Sequence, residues 1–184
     1  ALEAMERERG YLAELLRLPH HFSRQREQAP DEGPFYPNPV FDERDGLVFS
    51  KWNRNRLRSA QDIDGVPRLD ARRWEALDAL DATLRRPDLM HAMWLEPGDI
   101  QILNNHTTLH SRTEFVDFEE AERKRTLYRL WLAPPDSVRL PDSWLPAYRS
   151  VEAGTVRGGI LGQAYDDRRR EYEERAARDL GMAA

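Results

Sequence analysis

The residues best suited to chemistry lie in one stretch, Pro97 to Ala133, which reads PGDIQILNNHTTLHSRTEFVDFEEAERKRTLYRLWLA. It holds Asn104, Asn105, His106 and His110, then Arg112, an acidic loop (Asp117, Glu119, Glu120, Glu122), and finally Arg125 and Arg129. Side chains alternate faces along a strand, so on an extended backbone Arg125, Leu127 and Arg129 share one face, and His106 and His110 share another. Two arginines on an apolar strand face are costly unless an anion meets them. The planar guanidinium matches a carboxylate bidentately, so the face is suited to an acid, either a protein Asp or Glu or a small-molecule carboxylate. Neutral imidazole is the commonest metal ligand. Two plainer readings stand beside these: histidines that are merely hydrogen-bonded structural groups, and arginines that bridge to the acidic loop.

These residues need elements to position them. Asp99–Leu103, after the Pro97-Gly98 turn, and Arg125–Ala133 read as strands; Leu127, Leu130, Trp131 and Leu132 suggest burial of the second on both faces. Upstream, Leu2, Met5, Leu12, Leu15 and Leu16 predict a helix over 1–18, broken near Gly10 and stopped by Pro19. Residues 19–45 read as a long irregular loop, because Pro30, Pro34, Pro37 and Pro39 oppose helix and central strand; such loops often serve as lids, with Phe35 and Tyr36 as anchors. Asp45-Gly46 marks a turn before a short strand at Leu47-Val48-Phe49. The clearest helix spans 70–86, with Asp70 as cap, Leu69 and Trp74 as a hydrophobic staple, and a stripe of Trp74, Leu77, Leu80 and Leu84. Residues 164–180 predict a charged helix that offers a surface for self-association. The five tryptophans read as core, His20-His21 as a surface pair, and Arg54, Arg56 and Arg58 as a solvated basic face. The fold class is α+β, a single domain over 1–184 with loop and helix insertions at 19–45 and 53–96.

Composition narrows the function classes. The chain has 184 residues, 28 Lys plus Arg against 33 Asp plus Glu, a net charge of −5, and no cysteine. This excludes disulfides, thiolate metal sites and cysteine nucleophiles, and argues against a nucleic-acid binder. No apolar run is long enough to span a bilayer, and no secretory leader is visible, so a cytoplasmic protein without membrane attachment is expected. No glycine-rich phosphate loop occurs.

The PGD turn, "NN" followed by "LHSR", "F-x-D" and "R-x-L-x-R-L-W-L" together resemble the C-terminal part of TauD/TfdA-type dioxygenases. A weaker likeness extends to the helix WEALDALDATLRRPDL, the loop GPFYPNPVF and the RGGI at 157–160. The resemblance implies part of a double-stranded β-helix (jelly-roll) core, with helical insertions and a C-terminal helix. It also implies Fe(II), 2-oxoglutarate and O2 as cofactor and co-substrates, acting on a small molecule. Carried over by motif, His110 falls on the distal iron ligand, Arg125 on the arginine that grips 2-oxoglutarate, and Arg129 on the arginine beside it that meets co-substrate or an anionic substrate. Arg112, Asn104 and Asn105 take supporting roles, and His106 is a neighbour of the metal rather than a ligand.

The family's facial triad also needs a His-x-Asp or His-x-Glu pair. None of the five histidines (His20, His21, His91, His106, His110) has a carboxylate two residues on. Two expectations follow. The first is that the chain is the C-terminal portion of a longer dioxygenase, since three or four strands cannot close a jelly roll. The second is a metal-free binding or regulatory module that keeps the fold without the iron site.

Overall fold

The computed structural model describes residues 1–157, 161–163 and 165–183; the Gly158–Ile160 part of the RGGI motif lies outside them. Helix α1 (Leu2–Leu16) buries Leu2, Met5, Leu12, Ala13 and Leu16. It is kinked at Arg9 (φ −149°, ψ 53°), beside the Gly10 where the sequence predicts a break. Helix α2 spans Arg54–Ala60, and its first turn is capped by Asn53, whose Oδ1 accepts from Arg56 N at 3.0 Å. Helix α3 (Ala71–Leu84) begins as expected, with Asp70 Oδ1 accepting from Arg73 N at 2.8 Å, and Leu69 and Trp74 both pack on the main core. Leu77 and Leu80 of α3 meet Leu12 and Leu16 of α1, all fully buried. At about 1.5–3 kcal/mol per buried aliphatic side chain, this pairing is a principal source of stability.

Two antiparallel hairpin sheets lie against these helices. Strand β1 (Pro19–Ser23) pairs with β2 (Phe35–Pro39), and β3 (Phe41–Arg44) pairs with β4 (Leu47–Ser50). The β1–β2 sheet replaces the irregular loop expected over this part of 19–45. Its prolines fit for a geometric reason: Pro19↔Pro39 and His21↔Pro37 fall on alternate register pairs, where the backbone nitrogen points away from the partner strand. The intervening Phe22 and Tyr36 stack at 5.9 Å and enter the core. In the β3–β4 hairpin, Asp45 and Gly46 both take positive φ (52° and 75°), the geometry of a tight two-residue turn.

The surface pair expected at His20-His21 is also corrected. His20 is fully buried in β1, its Nδ1 lying 2.8 Å from Leu18 O, while His21 packs edge-on against Phe35. Arg56 is not solvated either. It donates to Ser23 O at 3.0 Å and Arg24 O at 3.2 Å and pairs with Glu27, so it ties α2 to the end of β1. Arg54 pairs with Asp78 at 2.5 Å and Asp81 at 3.1 Å on α3.

A second, smaller core gathers Phe49, Leu140, Trp144 and Val151 around a 3₁₀ turn at Asp142–Ala147. The charged helix α4 (Asp167–Asp179) forms within its expected bounds, capped by Asp166. No helix among the described residues is long and apolar enough to cross a membrane. The architecture is α+β with small sheets.

Candidate functional site

The motif segment is held differently from the strands expected in it. Neither 99–103 nor 125–133 is paired with a neighbour, and apart from a 3₁₀ turn at Ala121–Arg123 residues 91–133 form no helix or strand. Ile100 and Ile102 are 86% and 87% exposed, and Leu127, Leu130 and Leu132 face solvent, so the expected burial on both faces does not occur. Trp94 (89% exposed) and Trp131 are likewise outside the core, whereas Trp144 is fully buried and Trp52 and Trp74 are partly so. The physical reason is that a strand pattern fixes alternation, not a partner; without a neighbouring strand its backbone groups turn to water.

His110 is exposed, with Nε2 3.1 Å from Asn105 Oδ1. Arg125 is exposed and lies with Arg112 around the ring of Phe115, their guanidinium carbons 5.5 Å and 4.5 Å from its centroid. Asp117 accepts from the backbone N–H of Arg125 at 3.0 Å, so the acidic loop meets the main chain of Arg125 and not its guanidinium. Among the described residues, no ion pair engages Arg125 or Arg129, and no hydrogen bond joins either to His110. Nor does any group of three or more His, Asp or Glu side chains stand placed to hold a metal ion. Two surface depressions lie on either side of Trp74, and neither is lined by His110, Arg125 or Arg129.

His106 is where the segment is fastened. Its carbonyl accepts from Ser50 N at 2.7 Å, at the end of β4. Its ring packs edge-on against Trp144 and Tyr148, both at 5.8 Å, and those two rings stack on each other at 6.1 Å. Burial, with the nearby positive charges of Arg157 and Lys51, lowers the His106 imidazole to about 4, so it is neutral at pH 7.

Beside His106 stands a group that sequence reasoning missed. The Lys51 ammonium lies 4.4 Å from the ring centroid of Tyr148 and 5.2 Å from that of Tyr36, with Nζ 3.4 Å from Tyr148 Oη. Burial, and then the charge of Arg24, lowers it to about 8. Burial also pushes the Tyr148 hydroxyl up to about 12 and the Tyr36 hydroxyl higher still. The available signal was a lone lysine straight after a hydrophobic strand, in a chain with only one other lysine, Lys124.

Comparison with known proteins places the motif segment in context. The family described as "Taurine catabolism dioxygenase TauD, TfdA family" matches residues 1–131, a span that contains His110, Arg125 and Arg129. The chain is also similar to the FR-33289 synthase of Streptomyces rubellomurinus (strain ATCC 31215), with 31% identity over 123 residues. That match covers 64% of this chain and 35% of the relative, so the chain spans about a third of the length of that protein. With the family match covering well over half of its residues, the chain belongs to the TauD/TfdA family of dioxygenases.

Proposed function

We propose that this chain supplies the distal-ligand and co-substrate side of an Fe(II)/2-oxoglutarate dioxygenase. The reaction is oxidation of a small molecule, by hydroxylation or a related step, coupled to oxidative decarboxylation of 2-oxoglutarate. The observation that carries this is the family match over residues 1–131, because it runs through the segment where His110, Arg125 and Arg129 stand.

The residues present do not fit an iron centre by themselves. The His-x-carboxylate pair is absent from the sequence, and His110 has a single polar partner, an asparagine. In this reading His110 is one ligand of three, and the pair that completes the triad comes from outside these 184 residues. Arg125 holds the distal carboxylate of 2-oxoglutarate. Its guanidinium is free of ion pairs among the described residues and rests on the face of Phe115, and both features suit it to receive a dicarboxylate. Arg129, four residues on, meets co-substrate or an anionic group of the substrate. The exposed Ile100, Ile102, Leu130 and Leu132 support the companion proposal that 99–103 and 125–133 are jelly-roll strands, covered when the remaining sheet is present.

A second reading, the metal-free module, is favoured by the missing pair alone. The two are separated by His110→Ala and Arg125→Ala in the longest native polypeptide that contains this chain. The dioxygenase reading expects loss of turnover for His110→Ala and a sharply raised KM for 2-oxoglutarate for Arg125→Ala. Near-normal kinetics in both would leave the metal-free module.

A further inference from the structure

Among the described residues at the junction of β1, β2, β4 and the Asp142–Ala147 turn, most buried polar atoms without a partner are donors, the acceptor Asn38 Oδ1 on β2 being an exception. Lys51 stands at its centre, its backbone fixed by a 2.9 Å bond from its N–H to Val40 O. Among the described residues, no carboxylate pairs with its ammonium; its polar neighbour is the Tyr148 hydroxyl. Arg24, whose guanidinium carbon lies 4.7 Å from the Tyr36 ring centroid, pairs with Glu32 at 3.2 Å and donates to Pro146 O at 2.7 Å. Its Nε is nonetheless buried without a partner. Arg157 donates through Nη2 to Val138 O and, at 2.8 Å, to Glu152 O, and its Nε is also buried and unpartnered. The indole Nε1 of Trp144 is in the same condition; the Nδ1 of His106 is also unpartnered, as donor or acceptor according to the ring's tautomer.

A buried donor left without an acceptor loses its bond to water and gains nothing in return, and folded proteins keep few of them. Here several gather around one pair of tyrosine rings, together with three cations, while the nearby carboxylates are already engaged, Glu32 by Arg24 and Glu152 by Arg139. An imbalance of that sign calls for an oxygen-rich anion. We infer that this junction is a binding site for the carboxylate group of a small molecule, with Lys51 as its central cation, Arg157 and Arg24 beside it, and Tyr36 and Tyr148 as its walls. A carboxylate offers about four lone-pair sites, enough for the ammonium and the N–H groups of Arg24 Nε, Arg157 Nε and Trp144 Nε1. The compact ammonium suits a small anion that approaches end-on. His106 forms one side of the site, so a bound anion would press against the segment that carries His110. The inference uses none of the residues assigned to iron or 2-oxoglutarate, and it stands or falls apart from the dioxygenase reading.

The chain has two lysines, which makes the test selective. Lysine side chains labelled at Cε and Nζ give two NMR signals, assigned by their loss in Lys51→Met, with Lys124 as internal control. Titration uses acetate, inorganic phosphate and chloride in turn. The expected result is a saturable shift of the Lys51 signal with acetate, with its titration midpoint moving up from about 8 toward the ordinary 10.5, while Lys124 stays fixed. Saturation by acetate at lower concentration than by phosphate supports a carboxylate site; preference for phosphate overturns that assignment. An equal response to chloride, or parallel movement of Lys51 and Lys124, marks a general ionic-strength effect and overturns the site. A Lys51 midpoint near 10.5 before any anion is added also overturns it, because the ammonium would then already have a partner. Arg157→Met, which leaves both lysines in place, should weaken acetate binding at least about tenfold; unchanged binding removes Arg157 from the site.

Discussion

Replacing Lys51 with methionine should make the protein more stable at neutral pH, although it removes a charged side chain and its hydrogen bond. The Lys51 amine is lowered from 10.5 to about 8, first by burial and then by Arg24. At about 1.4 kcal/mol per pH unit, holding the proton in the folded state costs about 3 kcal/mol as an upper value. Methionine keeps the unbranched stem between Tyr36 and Tyr148 and discards the desolvated charge, so the expected gain is about 1–3 kcal/mol. The sign with pH follows from linkage. Between about 8 and 10.5 the unfolded chain binds a proton at Lys51 that the folded chain does not, so wild-type stability gains on the variant as pH rises through that window. The advantage of Lys51→Met is therefore full below pH 8 and vanishes near 10.5. Urea unfolding of both proteins from pH 6.5 to 10.5 measures it, because the titration of the tyrosines is common to both. A variant less stable by 1 kcal/mol or more at pH 7, with a difference that does not change with pH, would refute the reasoning.

Leu80→Ala, at the fully buried contact of α3 with α1, should cost about 2–5 kcal/mol in the same assay, and a cost below 1 would mean that the two helices do not share a core. Asp70→Ala removes the cap of α3 and should cost about 1 kcal/mol, with helix content by circular dichroism lowered only slightly. His106→Ala removes two edge-on ring contacts, together worth about 1–3 kcal/mol, and should speed tryptic cleavage at Arg112, Arg123 and Arg125; His110→Ala should leave the cleavage rate unchanged. His20 and His106 are both lowered from 6.5 to about 4 by burial, so the unfolded chain takes up protons that the native chain refuses as pH falls from 6.5 to 4. Stability should drop across that window, and His20→Gln should flatten the drop; equal slopes would show that His20 is not the source.

The helices were legible because their signals are local. The 3.6-residue spacing of Leu77, Leu80 and Leu84 and the Asp70 cap sit within a few turns of each other, and α3 begins where they place it. The Asp45-Gly46 turn was legible for the same reason. The β1–β2 sheet was not, because its prolines are harmless only in a particular register, and register is a property of two strands that a single segment does not encode. His20 misled in a similar way: a histidine next to a proline looks like loop, yet strand alternation turns its ring into the core. At the candidate site, the sequence offers His110, Arg125 and Arg129 as candidates, but the strands it predicts at 99–103 and 125–133 do not form, since pairing depends on neighbours that the motif does not specify. Lys51 was invisible because its significance comes from Tyr36 and Tyr148, 15 residues before it and 97 after it in the chain.

The central claim is that these residues contribute one iron ligand and a 2-oxoglutarate arginine to a centre they do not complete alone. Anaerobic titration with Fe(II) and 2-oxoglutarate, following the visible charge-transfer band of the ternary complex, tests it on this chain and on the longest native polypeptide that contains it. The account predicts a band in the longer polypeptide, its loss in His110→Ala, and none from the 184 residues alone. A band from these residues by themselves, or one that survives His110→Ala, would contradict it.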